Sequence, residues 1–112
     1  VAVRKQVNEK SQESERAREQ RRQLGRILKT WREAKGLTQA DLAEVLGLKY
    51  YSFISQVENG LGRIPQTMYA PWAKALAVDS QAFCWCVLAH VEPSIYEELS
   101  VHDKTSVDGW TK

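Results

Sequence analysis

Lys49, Ser52, Ser55, Gln56 and Asn59 recur every three or four residues in the stretch Lys49–Asn59. At about 100° per residue they fall on one side of a helix, with Tyr51 at its edge. Tyr50, Phe53, Ile54 and Val57 fall on the other side, which is predicted to be buried. The polar side carries no carboxylate, although residues 36–112 hold nine Asp/Glu against five Lys/Arg. Uncharged Ser, Gln and Asn, joined by Lys and Tyr, are the side chains that reach base edges and phosphates in a major groove. Gln56 can bond adenine through both amide atoms, which contributes ~1–3 kcal/mol of discrimination. Tyr51 can press its ring on a thymine methyl or donate its hydroxyl to a phosphate.

A second set invites metal or redox chemistry. Cys84 and Cys86 flank Trp85, but residues two apart on a helix point roughly 160° away from each other. Cys86 and His90 share a face at four-residue spacing, which is half a metal site. No second half has sensible spacing, and His102 stands alone in the tail. Inert buried thiols are expected, with no metal and no cofactor. Two histidines and no nucleophile elbow give no support to a catalytic triad. A chain of 112 residues also leaves little room for a deep substrate cleft, so no enzyme is expected.

The elements that must hold the polar face are helices. Leu24, Ile27, Leu28 and Trp31 mark one apolar face of a first helix, closed by Gly36. Thr38 offers an N-cap oxygen to a short second helix, with Asp41 as an imperfect capping-box partner. Gly47 closes that helix with a left-handed turn. The third helix follows over Lys49–Asn59. Gly60, Gly62 and Pro65 mark a loop, and Gln66–Ala77 reads as a fourth helix with Pro71 in its first turns. Asp79 or Ser80 caps a fifth helix, Gln81–Val91. Pro93 breaks that helix, and Ser94–Leu99 can add a last turn. Trp31 and Trp72 are assigned to the core. The tail after Ser100, Trp110 included, has no periodicity. No strand and no repeat is evident.

Two short helices separated by Gly47 and Leu48 have the length and punctuation of a helix-turn-helix. The residue string is more specific. LTQADLAEVLGL, ISQVENG and PWAKALAVD resemble the Cro/CI-type (XRE-like) helix-turn-helix family of phage and bacterial regulators, over roughly residues 24–83. The resemblance implies an all-α, five-helix, lambda-repressor-like domain. It implies that the base-reading positions fall on Tyr51, Ser52 and Gln56, in agreement with the helical wheel, with Ser55 and Lys49 beside them. It assigns Gln39, with Thr38, to a DNA phosphate at the start of helix two. Asn59 and Arg63 would grip the other strand, and Arg16, Arg18, Arg21, Arg22 and Arg26 would extend the contact along the backbone or into a minor groove. Arg32 and Glu58 occupy the positions of the family's internal ion pair. One departure is visible: one residue more than usual lies between Gly47 and Ile54. The turn is therefore longer, or the reading helix starts earlier.

Charge and size complete the expectation. Residues 1–35 carry eleven Lys/Arg and five Asp/Glu, so a basic end faces an acidic remainder under a net charge of +2. That asymmetry fits an anionic partner. Lys5–Gln23 is polar all round and reads as a frayed arm or a solvent-facing helix extension. The domain plan is a charged arm or helix extension at 1–20, a DNA-binding domain at 21–91, and a short helical turn and tail at 92–112. The longest apolar run is Ala82–Ala89, too short to span a bilayer. VAVRKQVNEK lacks the apolar stretch of a secretory signal, and Val1 in place of Met suggests a trimmed chain. Two cysteines fit a reducing, cytoplasmic setting. The fifth helix is apolar nearly all round. One face is expected on the core and another on a second subunit, giving a homodimer through 81–91. The alternative is that Pro93–Leu99 folds back over it. The expected partner is double-stranded DNA, with no membrane, and the expected role is a sequence-specific repressor. Two alternatives use the same fold: an antitoxin-type autoregulator that binds a toxin, or a protein-interaction (antiactivator) module.

Overall fold

The computed structural model describes residues 2–100, with side chains from Ser14 onward. His102 and Trp110 lie outside the described residues. Among those described, every regular element is a helix. They are α1 (Ala2–Ala34), α2 (Gln39–Val45), α3 (Ser52–Glu58), a 3-10 turn (Gln66–Met68), α4 (Tyr69–Ala75) and α5 (Ser80–Val91). A further helix, α6, occupies 93–100.

The apolar stripe of α1 begins at Leu24, yet the helix runs unbroken from Ala2. Of the two readings of the polar stretch, the helix extension is the one observed. Glu19 contributes to it by accepting from Arg22 at 3.0 Å and from Arg26 at 3.2 Å. The two guanidinium groups hold its carboxyl below the ordinary carboxylate range.

Four helices end in the same way. Leu37, Leu48, Leu61 and Val78 donate backward to the carbonyls of Arg32, Ala43, Gln56 and Ala73, at 2.8 to 3.1 Å. Each bond closes a Schellman turn and satisfies a carbonyl that the helix end leaves free. The turn needs a left-handed residue, supplied by Gly36, Gly47 and Gly60, and in the fourth case by Ala77 at φ 57°.

The capping box of α2 is complete. Asp41 N–H donates to Thr38 Oγ1 at 3.0 Å, and Thr38 N–H donates to Asp41 Oδ2 at 2.9 Å. At α5 it is Asp79 that caps, accepting from Ala82 N–H at 3.0 Å. Pro71 sits in the first turn of α4, where its missing N–H has no helical partner to lose.

The core gathers Leu24 and Leu28 from α1, Leu42 from α2, Ile54 and Val57 from α3, Trp72 and Leu76 from α4, and Phe83 and Val87 from α5. Phe83 is its hub. Trp31 and Tyr69 pack on it with ring centroids 6.2 and 6.1 Å away, and Phe53 meets Trp72 edge-on at 6.2 Å. α1 lies against both α3 and α5. At α3 the approach is so close that a Cβ on Gly25 would overlap the Glu58 carbonyl.

Two expectations for this region are corrected. The reading helix does not start at Lys49: it starts at Ser52, so the extra residue lengthens the turn. The Schellman turn at Gly47 fixes the exit from α2 and buries part of Leu48, and Lys49 and Tyr50 then loop outward before α3. Tyr50 consequently is not core: it is 66% exposed, under the Lys49 ammonium 5.5 Å from its ring centroid. The fourth helix is also shorter than Gln66–Ala77, because its first residues form the 3-10 turn. α6 folds back on α5, where Tyr96 meets Trp85 edge-on at 5.7 Å. Ile95 and Leu99 of α6 remain exposed.

Candidate nucleic-acid interface

α3 is anchored by its apolar side. Ile54 and Val57 are buried, and Phe53 is half-buried against Trp72. That burial leaves Ser52, Gln56 and Asn59 exposed, with Ser55 half-buried between them. Asn59 Nδ2 donates to Ser55 Oγ at 3.4 Å along the exposed side. Tyr51 is the exposed N-cap of the helix. These residues share one face. Lys49 is exposed as well, but it precedes α3 and sits in the turn rather than on the helix.

Tyr51 instead meets the start of α2. It lines one open cleft of about 480 Å³ together with Arg32, Gly36, Leu37, Thr38 and Gln39. The two parts of the sequence that the resemblance assigns to phosphate and base contacts are thus adjacent in space. Thr38 is exposed beside Gln39, although its hydroxyl oxygen is engaged in the cap.

The link between α1, α2 and α3 is a buried polar cluster. Arg32 reaches Glu58 through two parallel bonds, Nε to Oε2 at 2.7 Å and NH2 to Oε1 at 3.0 Å. Its third nitrogen donates to the Leu37 carbonyl at 2.7 Å. The Glu58 carboxylate raises the Arg32 pKa further above its ordinary value, outweighing the opposing effect of burial. Gln39 Nε2 also donates to Glu58 Oε1, at 3.0 Å. Pairing of this quality offsets the desolvation of two buried charges and fixes how α3 sits on α1. Gln39's bond to Glu58 was not legible in the sequence, which placed Gln39 on phosphate only.

The flank of α3 is basic. Arg22 is exposed and held by Glu19. Arg63 is exposed in the loop after α3. Arg21, one of the basic residues expected to extend the contact, donates from Nε to the Gly60 carbonyl at 3.3 Å. Gly60 sits on the backbone of α1, where an added Cβ would lie 2.8 Å from Arg22 N.

The cysteines are free and half-buried. Burial pushes the Cys86 thiol up, away from the thiolate that binds metal. His90 Nδ1 lies 2.8 Å from the Cys86 carbonyl oxygen and 3.9 Å from its sulfur. Among the described residues no three His, Cys, Asp or Glu side chains gather as metal ligands. No described helix is long and apolar enough to cross a membrane.

A small helical domain whose second and third helices meet at a glycine turn, with an exposed polar third helix, defines a helix-turn-helix protein. The chain belongs to the helix-turn-helix family, whose profile matches residues 28–83, half of the sequence, in agreement with the Cro/CI-type resemblance. Membership supports a DNA-binding role in transcription regulation. A search of the curated proteins finds no match.

Proposed function

We propose that this chain is a sequence-specific DNA-binding repressor that acts as a homodimer by occluding its operator. α3 enters the major groove, and Tyr51, Ser52, Ser55 and Gln56 read bases. Gln39 and Thr38 on one side, and Asn59, Arg22 and Arg63 on the other, hold phosphates. Lys49, carried into the turn, reaches the duplex from outside α3. The observation that carries this reading is the exposed, carboxylate-free polar face of a helix whose opposite face is buried. Arg32 and Glu58 act structurally by setting the angle of that helix.

The second copy packs along α5 and α6, where Ile95 and Leu99 are exposed and Leu88 and Val91 half-buried. Two reading helices roughly 34–36 Å apart would then meet successive major-groove faces.

Selection of bound sequences from a random DNA pool tests the whole reading. The expected result is a site of two inverted halves. The double substitution Ser52→Ala plus Gln56→Ala should then weaken binding to the selected duplex by at least tenfold, corresponding to about 1–3 kcal/mol per bidentate contact. Enrichment of no sequence, or unchanged affinity in the double variant, overturns it.

A further inference from the structure

Two arginines of α1 and a third more than forty residues later in the chain meet beside the helix-turn-helix. Arg16 and Arg21 from α1 and Arg63 from the loop after α3 line one cleft of about 250 Å³. Gln20 lies between the first two, and His90, Val91 and Pro93 form its far wall. No carboxylate lines it. Among the described residues neither Arg16 nor Arg63 has an ion pair. Arg21 is tethered through Nε to the Gly60 carbonyl, which leaves its two terminal nitrogens without a partner among the described residues.

Three guanidinium groups face this cleft and no carboxylate does (Glu92 lines the adjoining one with Arg21 and Arg63), so a bound anion is favoured there. Guanidinium forks match phosphate geometry in particular. The position of the cleft says which phosphate. Gly60, to which Arg21 is bonded, directly follows Asn59 at the end of α3. Gly62, next to Arg63, is packed beneath Gln56, where an added Cβ would lie 3.4 Å from the Gln56 Cβ. Arg21 and Arg63 are thus held beside the C-terminal end of the reading helix.

We propose that Arg16, Arg21 and Arg63 form a second phosphate clamp, which grips the backbone of the same duplex beyond the edge of the groove that α3 enters. The inference rests on the DNA-binding reading and extends it along α1 from Arg22 to Arg21 and Arg16, which precede the residues matched by the family.

The test is the salt dependence of binding, measured on the selected duplex and on a shuffled one. Arg63→Gln alone removes the phosphate contact already assigned to the loop after α3, and Arg16→Gln plus Arg63→Gln removes that of the clamp as well; both change exposed side chains and should leave the fold intact by circular dichroism. Arg18→Gln, exposed on the same helix but outside the cleft, controls for net charge. Each lost phosphate contact lowers the slope of log affinity against log salt by about 0.9. The double variant should lose about one unit of slope more than Arg63→Gln on both duplexes, and Arg18→Gln less than half a unit. A double variant with the same slope as Arg63→Gln, an equal further loss in Arg18→Gln, or a further loss confined to the selected duplex overturns the clamp. In those cases the wild-type protein still binds its site, and the DNA-binding reading stands. Wild-type protein that binds neither duplex overturns both.

Discussion

Gln39 and Arg32 bond to the same oxygen of one buried carboxylate. Glu58 Oε1 accepts from Gln39 Nε2 and from Arg32 NH2, each at 3.0 Å. One acid at the end of α3 therefore fixes the last turns of α1 and the first residue of α2 together. Gln39 is only half-buried, so Glu58 holds the orientation of a side chain that is still partly exposed.

The cluster should respond unequally to partial and complete removal. Glu58→Ala leaves the Arg32 guanidinium buried with one carbonyl for company. The expected loss is about 3–5 kcal/mol, as for other broken buried pairs. Replacing both charges by apolar side chains, as in Arg32→Met plus Glu58→Leu, removes the stranded charge and should recover most of that loss. Urea unfolding of the two variants checks this. A double variant as unstable as Glu58→Ala would mean that the pair adds large net stability of its own.

Gly25 should be intolerant of any side chain. It is where α1 and α3 touch backbone to backbone, and a methyl there collides with the Glu58 carbonyl and crowds the Val57 carbonyl. Overpacking of a fixed contact costs about 1–3 kcal/mol, more where backbone must move. Gly25→Ala should lower the thermal midpoint despite the better helix propensity of alanine. A midpoint that rises would show that α1 can slide off α3 freely.

Tyr50 and Phe53 separate what the sequence revealed from what it concealed. Helical periodicity put both on the buried side of one helix, and for Phe53, Ile54 and Val57 that holds. It failed at Tyr50 because periodicity presumes a helix that has already begun, and here the extra residue delays its start to Ser52. The glycine turns, the α2 cap and most of the core were legible, because each is a local signal. Gly25 was not, since a glycine inside a helix looks the same whether it meets solvent or another backbone. Nor was the bond from Gln39 to Glu58, which depends on how three helices cross. Stability should follow the observed positions. Tyr50→Ala should fall within about 0.5 kcal/mol of wild type, as exposed sites do. Phe53→Ala should cost up to about 3 kcal/mol, since it exposes the edge of Trp72.

The capping box of α2 makes stability depend on pH. The Asp41 carboxyl is held below its ordinary range, first by the Thr38 backbone N–H and then by the Thr38 side chain. A pKa lower in the folded chain than in the unfolded one means that the contribution is whole above ~4, the unfolded value. It is lost as the pH falls through the folded value. Glu19, lowered by Arg22 and Arg26, acts in the same direction. In Asp41→Asn the stability deficit relative to wild type should be largest near neutral pH and shrink at acid pH. Thermal melts across that interval measure it, and a constant deficit would remove the charge from the explanation.

Ala77 offers a gain instead of a loss. It ends α4 in the left-handed region at φ 57°, with Ala77 N–H on the Lys74 carbonyl and Val78 N–H on the Ala73 carbonyl. The other three turns of this type use glycine. An alanine Cβ in that conformation costs roughly 1–2 kcal/mol, and glycine gives back part of the difference through the greater freedom of its unfolded chain. Ala77→Gly should therefore stabilise the protein by about 0.5–1 kcal/mol and raise its thermal midpoint by a few degrees. The side chain is exposed and lies outside the proposed contact residues, so affinity for the selected duplex should not change. A lower midpoint would mean that the methyl contributes packing that its exposure does not suggest.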